Sequence, residues 1–99
     1  PDWLTAWEYA HRGLHGAGVP ENSRAAAEGA IARGMGIECD IQMSRDNVPL
    51  VFHDWELDRL TRERGKVAAR AADDLCRIAL QETSDVIWRL SDLLDLVAG

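Results

Sequence analysis

Glu38 and Asp40 stand two residues apart in the β-prone run Gly36-Ile37-Glu38-Cys39-Asp40-Ile41-Gln42, and a second apolar run, Val48-Pro49-Leu50-Val51-Phe52, ends in His53-Asp54. A strand repeats every two residues, so both carboxylates are expected on one face, with Ile37, Cys39 and Ile41 on the other. Burying neighbouring acids costs several kcal/mol each unless a cation or paired donors compensate. Oxygen donors on a strand face suit a hard divalent ion, Mg²⁺ or Ca²⁺, better than zinc. Such an ion needs at least one more protein ligand. Asp58, Asp73, Asp74 and Glu21 are available, and only Glu21 lies in a loop expected to reach the same end of the sheet. The alternative partners for the acid pair are arginines.

His11 and His53 each stand at the expected end of a strand, and an imidazole titrating near neutrality suits acid and base roles. His15 falls in a glycine-rich loop and is expected to face solvent. Arg12 follows His11 and offers a planar fork for a phosphate or a carboxylate. Cation, guanidinium and two histidines together fit phosphoester cleavage: positive groups hold the phosphoryl oxygens, one histidine activates a nucleophile and the other protonates the leaving oxygen. Glycoside hydrolysis fits less well, because residues at i and i+2 of one strand are too close to flank a sugar bond at the required separation of roughly 5 to 9 Å. Trp3, Trp7, Trp55 and Trp88 read first as core or interface residues, with Trp55 a second candidate for an apolar wall of the cleft.

These groups must be positioned by a small α/β framework. Glu8 to Gly13 suits a first strand ending at His11, and residues 14 to 20 are too rich in glycine for regular structure. Asn22 or Ser23 caps an alanine-rich helix over residues 24 to 33, which Gly34 closes. Strand, helix, strand is the outline of a βαβ unit. Met43 to Asn47 has turn character, and a connection this short makes either a hairpin or a sharp bend. Residues 55 to 65 read as a charged loop, residues 72 to 77 as a short helix with Asp73 and Asp74 in its first turn, residues 81 to 86 as a polar connection, and residues 91 to 99 as a helix capped by Ser91. Residues 1 to 7 read as a lead-in covering one end of the core.

Ninety-nine residues allow one domain, with roughly 60 to 65% of the unfolded surface buried on folding. Eleven Lys and Arg against seventeen Asp and Glu give a formal charge of -6, which disfavours nonspecific nucleic-acid binding and adhesion to anionic lipid. No apolar run approaches a membrane span and no leader is visible, so a cytoplasmic location without a membrane anchor is expected. Cys39 and Cys76 form no metal or disulfide pattern and read as small buried hydrophobes. Three strand candidates leave exposed edges and too little core, which points to one portion of a larger α/β domain.

The ordered set His11-Arg12-Gly13, Pro20-Glu21-Asn22-Ser23, Gly36-Ile37-Glu38-Cys39-Asp40, Val51-Phe52-His53-Asp54 and Leu57-Asp58-Arg59-Leu60-Thr61 resembles the N-terminal part of the glycerophosphodiester phosphodiesterase family. HRG or HD alone would be weak; the set in order is specific. Arg89-Leu90-Ser91-Asp92-Leu93-Leu94 resembles a later segment, so the likeness covers residues 1 to 99. It implies a TIM (β/α)8 barrel that is incomplete in this 99-residue chain, which would supply roughly its first third. It also implies divalent-cation-dependent hydrolysis of small glycerophosphodiesters to an alcohol and glycerol 3-phosphate. By the same resemblance His11 and His53 are the acid and base, Arg12 contacts phosphate, Glu21 supports the site, and Glu38 and Asp40 bind Mg²⁺ or Ca²⁺. The substrate's own glycerol hydroxyl can attack phosphorus in that family, giving a cyclic intermediate that water opens. A further glutamate and a lysine of the family site belong to later strands, so the 99 residues alone are expected to show negligible activity. Trp88 stands where the family usually has proline. The rival expectations are a noncatalytic binding or assembly module that self-associates through its open edges, and a related lipid phosphodiesterase.

Overall fold

The computed structural model describes residues 9–13 and 15–99, so Trp3, Trp7 and the expected lead-in lie outside the described residues. Its elements are β1 (Tyr9–His11), α1 (Arg24–Ala32), β2 (Gly36–Glu38), β3 (Ile41–Met43), β4 (Pro49–Val51), a 3-10 turn at Val67–Ala69, α2 (Ala72–Leu75) and α3 (Leu90–Ala98). β1 and β2 pair in parallel with His11 opposite Glu38, and α1 forms the crossover between them. β3 and β4 form an antiparallel hairpin with Ile41 opposite Val51.

The run 36 to 42, expected as one strand, is therefore two. Its β pattern is continuous, but at Asp40 the backbone changes partners. The Asp40 N–H donates to Asn22 Oδ1 at 3.3 Å, and its carbonyl accepts from the Phe52 N–H at 2.9 Å. Neither partner belongs to β1, so the parallel ladder cannot continue past Glu38. Glu38 and Asp40 are consequently presented by a strand end and by the kink after it, rather than by one strand face. The connection left open between hairpin and bend is a hairpin. Ser44 organises its turn, with the Val48 N–H donating to Ser44 Oγ at 2.9 Å and Asn47 adopting the left-handed conformation at φ 61°.

Helix ends are held partly by distant residues. Ser23 Oγ accepts the Ala26 N–H at 3.1 Å, which settles the N-cap of α1 on Ser23, and Asp85 Oδ2 takes the Ala25 N–H at 2.9 Å. Gly34, at φ 67°, closes the helix, with the Met35 N–H returning to the Ala30 carbonyl at 2.9 Å. α2 ends at Leu75, shorter than expected, and Asp46 Oδ1 caps it by accepting the Ala72 N–H at 2.9 Å. α3 begins at Leu90 with Arg89 as its N-cap instead of Ser91, because Asp92 Oδ2 reaches back to the Arg89 N–H at 3.2 Å.

Period-two alternation along β4 divides the interior. Leu50 and Phe52 enter a cluster with Leu57, Leu60, Val67, Leu75, Leu80 and Ile87, whereas Val51 enters a second with Ala27, Trp88 and Leu93. Ile37, Cys39, Leu90 and Leu96 pack against the second cluster. Trp88 is buried as expected, but Trp55 is 76% exposed. Cys39 and Cys76 are free thiols, half-buried rather than buried. Among the described residues no helix is long and apolar enough to cross a membrane.

Gly13 is the tightest backbone approach. A Cβ there would stand 2.7 Å from Ala26 Cβ and 2.9 Å from the Ala26 carbonyl carbon, at φ +78°. Gly18, at φ +74°, has nothing within 4 Å of a Cβ. Gly13→Ala is therefore expected to lose about 1 kcal/mol to the left-handed backbone and a further ~1–3 kcal/mol to overpacking against α1. Gly18→Ala should lose only the first. Chemical denaturation of the two variants checks the difference.

Candidate active site

His11 ends β1, and the chain then turns away sharply. Arg12 takes a left-handed conformation at φ 58°, and the Gly13 N–H closes the turn onto the Ala10 carbonyl at 3.0 Å. A left-handed arginine is strained and persists only where its surroundings over-determine it. Here its carbonyl accepts the Asn22 N–H at 2.7 Å, and its guanidinium meets two carboxylates. Arg12 Nη1 donates to Glu21 Oε2 at 3.2 Å. Arg12 Nε stands 3.1 Å from Asp40 Oδ2, an ion pair without the alignment of a hydrogen bond.

Three residues of Pro20-Glu21-Asn22-Ser23 have separate tasks. Ser23 caps α1. Asn22, left-handed at φ 57°, spends its side chain on Asp40, donating from Nδ2 to Oδ2 at 3.2 Å and accepting the Asp40 N–H. The Asn22 carbonyl accepts from the indole Nε1–H of Trp88 at 2.8 Å, so the segment leading into α3 is tied to the site loop. Glu21 is only 7% exposed, and it faces two guanidinium groups.

The second guanidinium belongs to Arg59. Its Nη1 and Nη2 donate to Glu21 Oε1 and Oε2 at 2.9 and 3.0 Å. Its Nε and Nη2 donate to Asp54 Oδ2 and Oδ1 at 2.8 and 3.0 Å. Asp54 Oδ1 in turn lies 2.7 Å from His53 Nδ1. The Arg59 hydrogen bonds, with a smaller one from His53, hold the Asp54 carboxyl down at about 2 against an ordinary 3.8. For Glu21 burial is the largest influence and acts upward; Arg59 and Arg12 outweigh it, and its pKa is lowered. An ionised Asp54 only accepts, so in the neutral imidazole of His53 the proton sits on Nδ1 and the lone pair on Nε2. Gln42 Nε2 fixes the same residue's carbonyl at 2.8 Å.

The expected residues fall into two contact groups, one holding Arg12, Glu21, Asp40 and His53 and the other His11 and Glu38, and the parallel β1–β2 pair places His11 opposite Glu38. The path runs from His53 through Asp54, Arg59, Glu21 and Arg12 to Asp40, while His11 Nε2 stands 3.7 Å from Glu38 Oε2. His15 is exposed, as expected. Asp58 and Asp73 lie elsewhere, occupied by the Gly65 N–H and by Arg89 respectively. Residue-type reasoning did not single out Arg59 or the orienting role of Asp54. The available signal was electrostatic: a glutamate in a loop beside an acid pair needs more positive charge than Arg12 alone supplies.

Glu38 Oε1 is buried and has no hydrogen-bond partner among the described residues. A buried carboxylate oxygen without a partner fits a hard cation, which would satisfy it. The described residues contain no group of three or more His, Cys, Asp or Glu able to hold a metal, and Asp40 Oδ2 is engaged by Arg12 and Asn22.

Asp54 titrates lower in the folded chain than its ordinary 3.8, so its contribution is fully present above about pH 4 and is lost as pH falls towards about 2. Wild-type stability should fall more steeply across that window than that of Asp54→Asn, whose amide does not titrate. Urea denaturation at a series of pH values checks this.

The sequence profile described as "Glycerophosphoryl diester phosphodiesterase family" matches residues 11–95. A glycerophosphodiester phosphodiesterase of Bacillus altitudinis is 40% identical over 96 residues, covering 90% of this chain and 39% of its own. The crystal structure of a glycerophosphodiester phosphodiesterase from Agrobacterium tumefaciens matches with a TM-score of 0.84 at 30% identity, over 92% of this chain and 42% of that one. An Oleispira antarctica phosphodiesterase, solved in complex with the product sn-glycerol-3-phosphate, matches with a TM-score of 0.84 at 25% identity, over 93% and 40% of the two chains. The chain spans about two fifths of the length of these relatives, and its parallel β1–β2 pair with the α1 crossover is an unclosed part of their TIM-barrel fold. With this profile, these relatives and these folds in agreement, the chain belongs to the glycerophosphoryl diester phosphodiesterase family.

Proposed function

We propose that the protein hydrolyses glycerophosphodiesters to an alcohol and glycerol 3-phosphate, and that residues 11 to 59 carry its acid–base pair, a phosphate contact and part of a divalent-cation site. The observation that carries this reading is the convergence of His11, Arg12, Glu38 and Asp40 at the paired ends of β1 and β2, with one Glu38 oxygen buried and unpartnered. The Oleispira antarctica relative holds glycerol 3-phosphate, which is the product this chemistry would yield.

His53 supplies the base. Its Nδ1–H is fixed on Asp54, so the Nε2 lone pair accepts the proton of the attacking hydroxyl. That hydroxyl is the substrate's own glycerol hydroxyl, whose attack forms a cyclic phosphodiester and expels the alcohol. His11 donates a proton to the departing oxygen, and the two residues exchange tasks when water opens the ring. Arg12 neutralises a phosphoryl oxygen from a backbone held rigid by Asn22 and Gly13. Mg²⁺ or Ca²⁺ bound by Glu38 and Asp40 would add Lewis-acid charge stabilisation at the phosphoryl group.

His11→Ala and His53→Ala in the whole protein should each lower kcat about 10²- to 10⁴-fold, measured as glycerol 3-phosphate released from glycerophosphocholine. Retention of full kcat by either variant removes that residue from the reading. Glu38→Gln and Asp40→Asn should each weaken Mg²⁺ or Ca²⁺ binding in a calorimetric titration; equal affinity in the native chain and both variants would sink the metal assignment.

A further inference from the structure

The Arg59 fork is a dense polar cluster to which the proposed chemistry gives no direct part. It is bidentate twice over, with Nη1 and Nη2 on both oxygens of Glu21 and Nε and Nη2 on both oxygens of Asp54, at distances from 2.8 to 3.0 Å. Planar five-donor geometry permits this, whereas an ammonium cannot span two carboxylates in fixed directions. The two acids come from segments far apart in sequence, 38 and 5 residues from Arg59. Buried Leu57 and Leu60 anchor the segment around the arginine in the larger core, and the Gln81 N–H bonds the Leu60 carbonyl there.

Each acid held by Arg59 grips a group of the proposed site. Asp54 meets His53 Nδ1, and Glu21 meets Arg12 Nη1. Asp54 has no other protein donor than Arg59 and His53 among the described residues' side-chain bonds. We propose that Arg59 is a positioning residue: it sets the Asp54 carboxylate so that His53 keeps its proton on Nδ1 and its lone pair on Nε2, and through Glu21 it holds the Arg12 guanidinium towards the phosphate. The assignment of His53 as base and Arg12 as phosphate contact rests on the function proposed above; the geometric claim about the imidazole does not.

Removing the fork frees Asp54 to rotate and leaves Glu21 buried with Arg12 alone, so Arg12 turns further towards Glu21. Arg59→Lys keeps the charge and loses the double fork, so it separates position from simple neutralisation. Arg59→Met loses both.

Ring ¹⁵N NMR of the whole protein at pH 8 reads which imidazole nitrogen of His53 carries the proton. Wild type is expected in the Nδ1–H form, and Arg59→Met and Arg59→Lys are expected to shift towards a mixture with the Nε2–H form, with backbone spectra verifying that each variant folds. An unchanged tautomer in a folded Arg59→Lys and Arg59→Met overturns the proposal. In the whole protein, Arg59→Lys should lower kcat for glycerophosphocholine by about tenfold, and Arg59→Met by about 10²-fold, the usual scale for misplacing a reacting group by about an ångström. A kcat equal to wild type in both also overturns it. If wild type itself releases no glycerol 3-phosphate, the proposed function fails while the tautomer experiment still decides the role of Arg59.

Discussion

A carboxylate withdrawn from water survives as an anion only if positive charge comes with it, and among the described residues Glu21 is the place where that requirement is strictest. Two guanidinium groups meet it, one from the end of β1 and one from the loop beyond β4. Removing either would leave the acid partly uncompensated, a loss that is large for buried charges and small for exposed ones. Much of the site's layout follows from this one demand. Arg12 must turn inward, which requires the left-handed backbone after His11, and Arg59 must cross from a distant segment, which brings Asp54 and His53 with it.

Local and distant forces divide cleanly in how far the sequence reveals them. The α1 helix is legible because its signals are contiguous: Ser23 before it, alanines within it, Gly34 after it. β1 ending at His11 and β4 leading to His53 are legible for the same reason. The break at Asp40 is not, because residues 36 to 42 carry an unbroken β pattern and the change of partner is imposed by Asn22 and Phe52. The caps supplied by Asp46 and Asp85 are equally hidden, since nothing in the short sequence around Ala72 or Ala25 names an acid 26 or 60 residues away. At the site, motif order names six candidate residues, whereas the clasp made by Arg59 joins acids 38 and 5 residues away and no local pattern names it.

Two cores share the interior of this short chain. β4 lies between the clusters and gives alternate side chains to each, so the backbone that leads into His53 is packed on both faces. The larger cluster is assembled almost wholly from residues 50 to 87, which lie close in sequence and close their contacts at low loop entropy. The smaller one joins α1, β4 and α3 around Trp88, whose indole hydrogen bond to Asn22 then fastens the loop that bears Glu21.

Asn22 also bears on how such a protein changes over evolutionary time. Asparagine tolerates the left-handed backbone at position 22 better than most residues, so glycine there would relieve little. It would give up two hydrogen bonds to Asp40, one of them to a carboxylate, together worth about 2 kcal/mol or more. Selection for thermal robustness alone would therefore hold asparagine at position 22, and the orientation of Asp40 would be kept as a by-product.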